Sequence, residues 1–558
     1  MTPSLDAAIA RLAAGAASFA GRDHLARATL ARETALTVAG AADRWVEAAV
    51  SMKTPGGGPA ATGVRAEETA TGPLASLRLL VITARALREI ALRGTPLPAE
   101  PPRVLHRGGG ASLVGIEVLL ERWLADRAMF GGHRGMVRCG DPGDVQAFDR
   151  IWREECRDRP RRGGVAVVLG AGNVTGLAIA DAVAQIFEHG RAALVKLHPL
   201  HAPLVPVVRE AVAPLVAAGM VEFVAGGPEI AAESIAAPLV THVHLTGGRG
   251  AFDALVWGGG GPRPGGGPAL QKPVTCELGG VTPWVIVPGR YTDAQLRYQA
   301  DLVAGSIIHN TSFNCIATKC VVTCRSWEQR EAFLEHVAGR LAATPARPAW
   351  YPAAAAAWEQ AVQARPPADG TLPWVFRSGI EPPREPHWLE REWFVPVAVE
   401  VPLDAADIEG FCGAAMAFAR TLPGTLAASV TIPESLTTQD RRRVELFVEH
   451  LEYGTVAVNT WSALAYAFTS LPWGGFPGGT LADPGSGLGF VHNPLLLPLV
   501  HNSILRAPLH LRATPPWLPW HPHAAALTRG VIDVYASIAR GGGGLWPLLT
   551  MLPKVLAG

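Results

Sequence analysis

The stretch GGVAVVLGAGNVTGLAIADAVAQ, Gly163–Gln185, decides the fold. VAVVLG is a short apolar run rich in β-branched residues, LAIADAVAQ is built of helix formers, and glycines separate the two. The reading is a buried strand, a tight turn and a helix. Working outward, AALVKL, VEFVAG and HVHLTG follow as further apolar runs, each about one helix apart. That alternation is the pattern of βαβ units around a parallel sheet. WGGGGPRPGGGPALQKP then reads as a flexible insertion, after which PWVIVPG and KCVVTCR begin a second strand-and-helix set reaching about Gly479. Upstream, Met1 to about Arg161 reads mostly as helices, with LASLRLLVITARALREIALRG placing its apolar residues on one face. TPGGGPAATG and HRGGGAS read as loops within that region.

Composition sets the limits. A chain of 558 residues can hold two or three domains. With 49% hydrophobic and 17% charged residues it suits a globular protein and not wholesale disorder. A net charge of +1 offers no large field to attract nucleic acid. The seven cysteines are odd in number and scattered, which does not resemble a disulfide framework. Cys315, Cys320 and Cys324 lack a second cluster at zinc-finger spacing, so no metal site is expected. The N-terminus lacks a continuous apolar signal core, and no run of about 20 apolar residues stands out. A cytoplasmic location is expected.

The glycine turn is not a dinucleotide fingerprint. Gly170, Gly172 and Gly176 are one residue too widely spaced for G-x-G-x-x-G, and the next strand ends on Lys196 where an acid is expected. Asn173, the polar side chain of the turn, therefore needs another explanation.

Later segments supply it. THVHLTGGRGAF reads as a strand, a glycine turn and a helix. VTCELGGVTPWVIV sets Glu277 beside a Gly-Gly pair, and HNTSFNCIATKCVV sets Cys315 at a loop-to-helix junction. REWFVPVAVEV and GTVAVNTWSALAYAFTSLPWGGFPGG follow. In this order the segments resemble the aldehyde dehydrogenase superfamily over roughly Arg134 to Gly479, with CELGG the sharpest motif. The resemblance implies an α/β fold with a Rossmann-like cofactor domain, an α/β catalytic domain and a small bridging arm. The expected boundaries are 1–280 for the helical region plus cofactor domain, 281–479 for the catalytic domain, and 480–558 for the arm and an extension.

The resemblance also implies roles. Cys315 matches the nucleophile, whose thiolate adds to an aldehyde carbonyl and later leaves as a thioester is hydrolysed. A helix N-terminus there would lower its pKa. Glu277 matches the base that activates water, with a pKa raised by apolar walls. Asn173 matches the amide that stabilises the oxyanion together with the Cys315 N–H. Lys196 matches a lysine on the adenosine ribose. Thr246, Gly247 and Gly248 match the turn whose helix faces the pyrophosphate, and Glu392 with Phe394 matches the pair at the nicotinamide ribose and ring. The cofactor is thus NAD or NADP, because KLHPLHAPL supplies no acid to decide between them. Asn459 matches a position near the substrate mouth without a catalytic role.

Some features depart from the family pattern. Ser312-Phe313 replaces the usual Gly-Gln before the nucleophile, and His198 and His201 find no role. Trp461, Tyr466, Phe468 and Trp473 fit an apolar substrate tunnel and equally fit plain core. The tail past about Pro494 exceeds the family's usual length, and PPWLPWHPHAAALTRGVIDVYASIARGGGGLWPLLTMLPKVLAG shows one evident helix and a short apolar terminus. Docking on a neighbouring subunit of a homo-oligomer, a dimer or tetramer, is the first expectation for it; covering a substrate entrance or touching a membrane surface are the others. The leading function is NAD(P)-dependent oxidation of an aldehyde, with apolar content hinting at a hydrophobic one. Alternatives are a CoA-dependent acyl or fatty-acid reductase, against which Glu277 argues, and a non-catalytic scaffold.

Overall fold

The computed structural model describes residues 4–55, 57, 60–106, 112–140, 142–159, 163–262 and 265–556. Two sheets organise the chain. The first has six strands, in spatial order Gly487–Leu488, Val274–Leu278, Val240–Gly247, Val165–Leu169, Ala192–Lys196 and Val221–Val224. Its five longer strands run parallel and Gly487–Leu488 lies antiparallel on the edge. These strands are the apolar runs read from the sequence, together with the CEL segment. Val165–Val168 are fully buried, as strands covered on both faces should be.

The glycines of the turn after Val165–Leu169 serve packing. A side chain at Gly176 would strike the carbonyls of Thr71 and Gly72, one at Gly170 the Ala178 methyl, and one at Gly172 the His198 ring. At Gly176 the turn is thereby pressed against the helical region.

The second sheet has ten strands, in the order Arg103–His106, Ser112–Leu119, Arg134–Cys139, Val500–Arg506, Thr455–Val458, Ala427–Thr431, Pro283–Ile286, Cys320–Cys324, Val397–Leu403 and Val375–Arg377. The N-terminal region is mostly helical, as expected, but it also contributes the first three of these strands, which the sequence reading does not separate. They form an antiparallel unit that meets the rest of the sheet only through Val500–Arg506. Their apolar pattern is broken by charge: Glu117 is buried and pairs with Arg103 and Arg134. The sheets also cross the expected boundaries at 280 and 479. Strands before 140 and after 499 share a sheet with the 281–479 segment, and Gly487–Leu488 joins the other sheet.

Helices cover the sheets. His24–Lys53 is capped by Asp23, whose carboxylate accepts from the Ala26 N–H at 2.7 Å. The helix Gly63–Arg93 is long and apolar enough to cross a membrane by length and composition, but 72% of its apolar window is buried inside the protein. It is a core helix, and it contains a π turn at Ala70–Leu74 that touches the site described below. Of the loops read from the sequence, HRGGGAS lies largely outside the described residues, and TPGGGPAATG gives way to helix at Ala60. The tail holds two helices where one was evident, Ala524–Ala539 and Leu545–Leu556. They pack on each other and on helices of their own chain.

Candidate active site

Three segments bring the chemistry together. Glu277 lies in the strand Val274–Leu278, in register with Thr246 on its neighbour. Asn173 lies in the turn after Val165–Leu169. Cys315 lies in a turn between His309–Ser312 and the strand Cys320–Cys324. No helix begins at Cys315, so the expected lowering of its pKa by a helix N-terminus does not occur. Three consecutive residues before it, Asn310, Thr311 and Ser312, have φ of 55°, 58° and 61°. Such left-handed conformations are costly for side-chain-bearing residues and persist where the surroundings impose them. The Thr282 hydroxyl donates to the Cys315 carbonyl at 3.1 Å, and the Trp461 indole N–H donates to the Ile316 carbonyl at 2.7 Å. These bonds fix the turn from two sides.

The thiol Sγ lies 3.4 Å from Glu277 Oε1. Asn173 Nδ2 donates to the Phe313 carbonyl at 3.1 Å, leaving its second N–H for another acceptor. All three side chains line one small chamber of about 80 Å³. Burial pushes the Glu277 carboxyl up to about 7, reinforced by the negative charge of Asp181 and opposed by donation from Cys315 and Trp473. Burial, helped by Glu277 and Glu392, pushes the Cys315 thiol well above its usual range. The proton thus rests on sulfur until a neighbour accepts it, and Glu277 is the neighbour within reach.

On its other side the same trio faces a larger cleft of about 680 Å³, lined also by Thr246, Gly247, Gly248, Glu392 and Phe394. Five of the six residues expected to hold a cofactor therefore share one cleft with the chemistry. Lys196 is the exception: it stands at its strand's end, outside that lining, within electrostatic reach of Glu229. The cleft suits a dinucleotide. Gly248 caps the helix Arg249–Trp257, whose N–H groups open onto the cleft. Glu392 Oε1 is buried with no hydrogen-bond partner among the described residues. The Thr246 hydroxyl, by contrast, is committed to Asp181 at 2.9 Å, so Thr246 contributes shape.

The Ser312-Phe313 departure now has a place. Phe313 is fully buried among Trp350, Tyr351 and Phe394, with ring centroids 5.2, 5.5 and 6.3 Å away. The Ser312 hydroxyl accepts from Lys319 Nζ at 2.7 Å, and Lys319 also donates to the Ser312 and Val395 carbonyls. Burial lowers Lys319 and raises Glu392, each partly offset by the other's charge. Trp461, Tyr466 and Trp473 line the chamber; Phe468 does not. The Asn459 side chain is structural, accepting from the Ile432 N–H at 2.9 Å.

Sequence reading missed Lys53, which is heavily bonded near the site. Its ammonium pairs with Glu68 and donates to the Asn173 carbonyl and Asn310 Oδ1, both at 2.7 Å. It also lies 4.4 Å from the centre of the Trp350 ring. One buried cation thus ties the oxyanion turn to the nucleophile loop. Nothing in a lone lysine near a helix C-terminus signals this, since its partners are 120 and 257 positions away.

No family model matches the sequence, and no curated protein matches it either. Solved structures match it over nearly its whole length, and they define the class: the chain has the aldehyde dehydrogenase fold. Glyceraldehyde-3-phosphate dehydrogenase GapN of Methanocaldococcus jannaschii, complexed with NADP, is 13% identical with a TM-score of 0.58, covering 90% of this chain and 94% of that one. The NADP-dependent glyceraldehyde-3-phosphate dehydrogenase of Bacillus halodurans C-125 gives 16%, 0.58, 90% and 90%. Aldehyde dehydrogenase AldC of Pseudomonas syringae, in complex with NAD+ and octanal, gives 15%, 0.58, 92% and 90%.

Proposed function

We propose that the protein is an NAD(P)-dependent aldehyde dehydrogenase that converts an aldehyde to a carboxylic acid. The observation that carries this reading is the meeting of Cys315, Glu277 and Asn173 in one chamber that opens onto the glycine-lined cleft. Glu277 accepts the thiol proton as the aldehyde arrives, and the sulfur adds to the carbonyl carbon. The free N–H of Asn173 and the Cys315 amide stabilise the oxyanion, an effect often worth about 3 kcal/mol. A nicotinamide dinucleotide in the cleft would supply the hydride acceptor that oxidises this adduct to a thioester on Cys315. Glu277, having passed the thiol proton to solvent, then takes a proton from the water that attacks the thioester; the acid leaves and that proton returns to the Cys315 sulfur. Glu392 and the helix at Arg249 would hold the dinucleotide, and Phe394 would contribute an aromatic wall to its cleft. The fold neighbours are complexed with NADP in two cases and NAD+ in a third, so both cofactors belong in the test. A cytoplasmic location and a homo-oligomeric state remain part of the proposal, to be checked by fractionation and light scattering.

The test is a panel of aldehydes incubated with NAD or NADP, with and without CoA, following the absorbance of the reduced cofactor. CoA-independent turnover, lost in Cys315→Ala while nicotinamide binding survives, is the expected result. Strict dependence on CoA, or equal loss of turnover and binding in Cys315→Ala, would contradict it.

A further inference from the structure

The chamber beside Cys315 backs onto a second space. Ala70, Leu464, Ala467 and Trp517 line the chamber and also line this second cavity of about 370 Å³. The C-terminal extension walls that second cavity. Leu548, Met551, Leu552 and Val555 of the last helix face it at i, i+3, i+4 and i+7, the spacing of one helical face. Leu527 and Val531 of the preceding helix face it too. Three of the polar residues in the wall are committed elsewhere. The Arg78 guanidinium donates to Asp126 and, at 2.9 Å, to the Phe468 carbonyl. The Tyr535 hydroxyl donates to Asp126, and the Thr528 hydroxyl donates to the Ala524 carbonyl at 2.9 Å. The surface left for a guest is mainly apolar, and it shares a wall with the nucleophile's chamber.

We propose that this cavity is a tail-binding site built by the C-terminal extension, and that the substrate is a long-chain aliphatic aldehyde whose carbonyl reaches Cys315. The proposal rests on the aldehyde-oxidation reading and names its substrate class. An alkyl chain fits because each buried methylene is stabilising by an amount equivalent to about fourfold in kcat/KM.

The experiment compares kcat/KM for propanal, hexanal, decanal and tetradecanal, with the full chain and with Val531→Trp and Leu548→Trp, each of which fills the cavity from a different helix. The wild type is expected to gain about fourfold per methylene until the cavity is full. Each variant is expected to keep propanal turnover, which also reports correct folding, and to lose about 60-fold on tetradecanal, the worth of three methylenes. A flat chain-length profile in a wild type that oxidises propanal overturns the tail site and spares the oxidation reading. Should no aldehyde be oxidised, the oxidation reading fails, and binding of tetradecanol followed by tryptophan fluorescence decides on the cavity alone. Binding that weakens in both variants supports it, and absence of binding to the wild type overturns it. Should both variants misfold, the wild-type profile and the tetradecanol measurement decide.

Discussion

Glu277 carries a carboxyl held near 7 within reach of a sulfur that holds its proton tightly. A base works in its ionised form, and for a raised carboxyl that form accumulates above the raised pKa. Turnover limited by thioester hydrolysis should therefore rise with pH through about 7; a profile flat from acid to alkaline pH would remove Glu277 from that step. Glu277→Gln should slow both the first burst of reduced cofactor and the steady state by about 10²–10⁴, because the same carboxylate serves the thiol and the water. Asn173→Ala should cost roughly 10²–10³ in kcat with little change in KM, the pattern of a donor used mainly in the transition state. A purely structural asparagine would instead lower thermal stability and leave kcat of the folded fraction intact.

Two elements are pinned by buried charge, with opposite consequences. Lys53 ends its helix 1% exposed and paired with an equally buried Glu68. Removing one partner of such a pair strands the other, which typically costs about 3–5 kcal/mol. Lys53→Met should show that loss in denaturant unfolding, and Lys53→Met with Glu68→Leu should recover much of it; a cost below about 1 kcal/mol would mean the pair is not shielded from water as drawn. Glu188, at the end of the helix Leu177–Phe187, accepts the Asn493 N–H at 2.7 Å. Burial pushes its carboxyl from 4.5 to about 8, opposed by that hydrogen bond and by Arg159. A raised carboxyl favours the fold while protonated, so its contribution is whole below 4.5 and fades as pH climbs to about 8, by up to about 1.4 kcal/mol per pH unit. Glu188→Gln keeps the acceptor and does not titrate. Relative to the wild type it should gain stability steadily from pH 5 to 8, read from denaturation midpoints, and an unchanged difference would refute the burial argument.

Across the whole molecule, the parts visible in the sequence are those whose pattern is local. The βαβ runs are continuous and apolar because both faces of their strands are covered, and CELGG and the asparagine turn sit at their strand ends. The strands before residue 140 were hidden because arginines and a buried glutamate interrupt them and because their sheet partner lies at Val500–Arg506. Cys315 read as the start of a helix because left-handed backbone at three side-chain-bearing residues leaves no trace in composition. Lys53 was illegible for the same reason of distance. The long helix His24–Lys53 also reaches the cofactor half directly, with the Trp45 indole donating to Thr175 at 3.0 Å and the Thr37 hydroxyl to the Ala211 carbonyl at 2.7 Å. Deleting residues 1–53 should accordingly abolish both soluble expression and nicotinamide binding, and a truncated chain that still binds would show these helices to be dispensable.

The joining of Arg134–Cys139 to the large sheet through Val500–Arg506 alone has a consequence for biosynthesis. While the ribosome makes everything in between, that strand waits with its bonding edge bare, able to recruit any passing strand. If maturation waits on the late arrival of these seven residues, holdase chaperones that shield the waiting edge should raise the yield of active protein more than faster translation does.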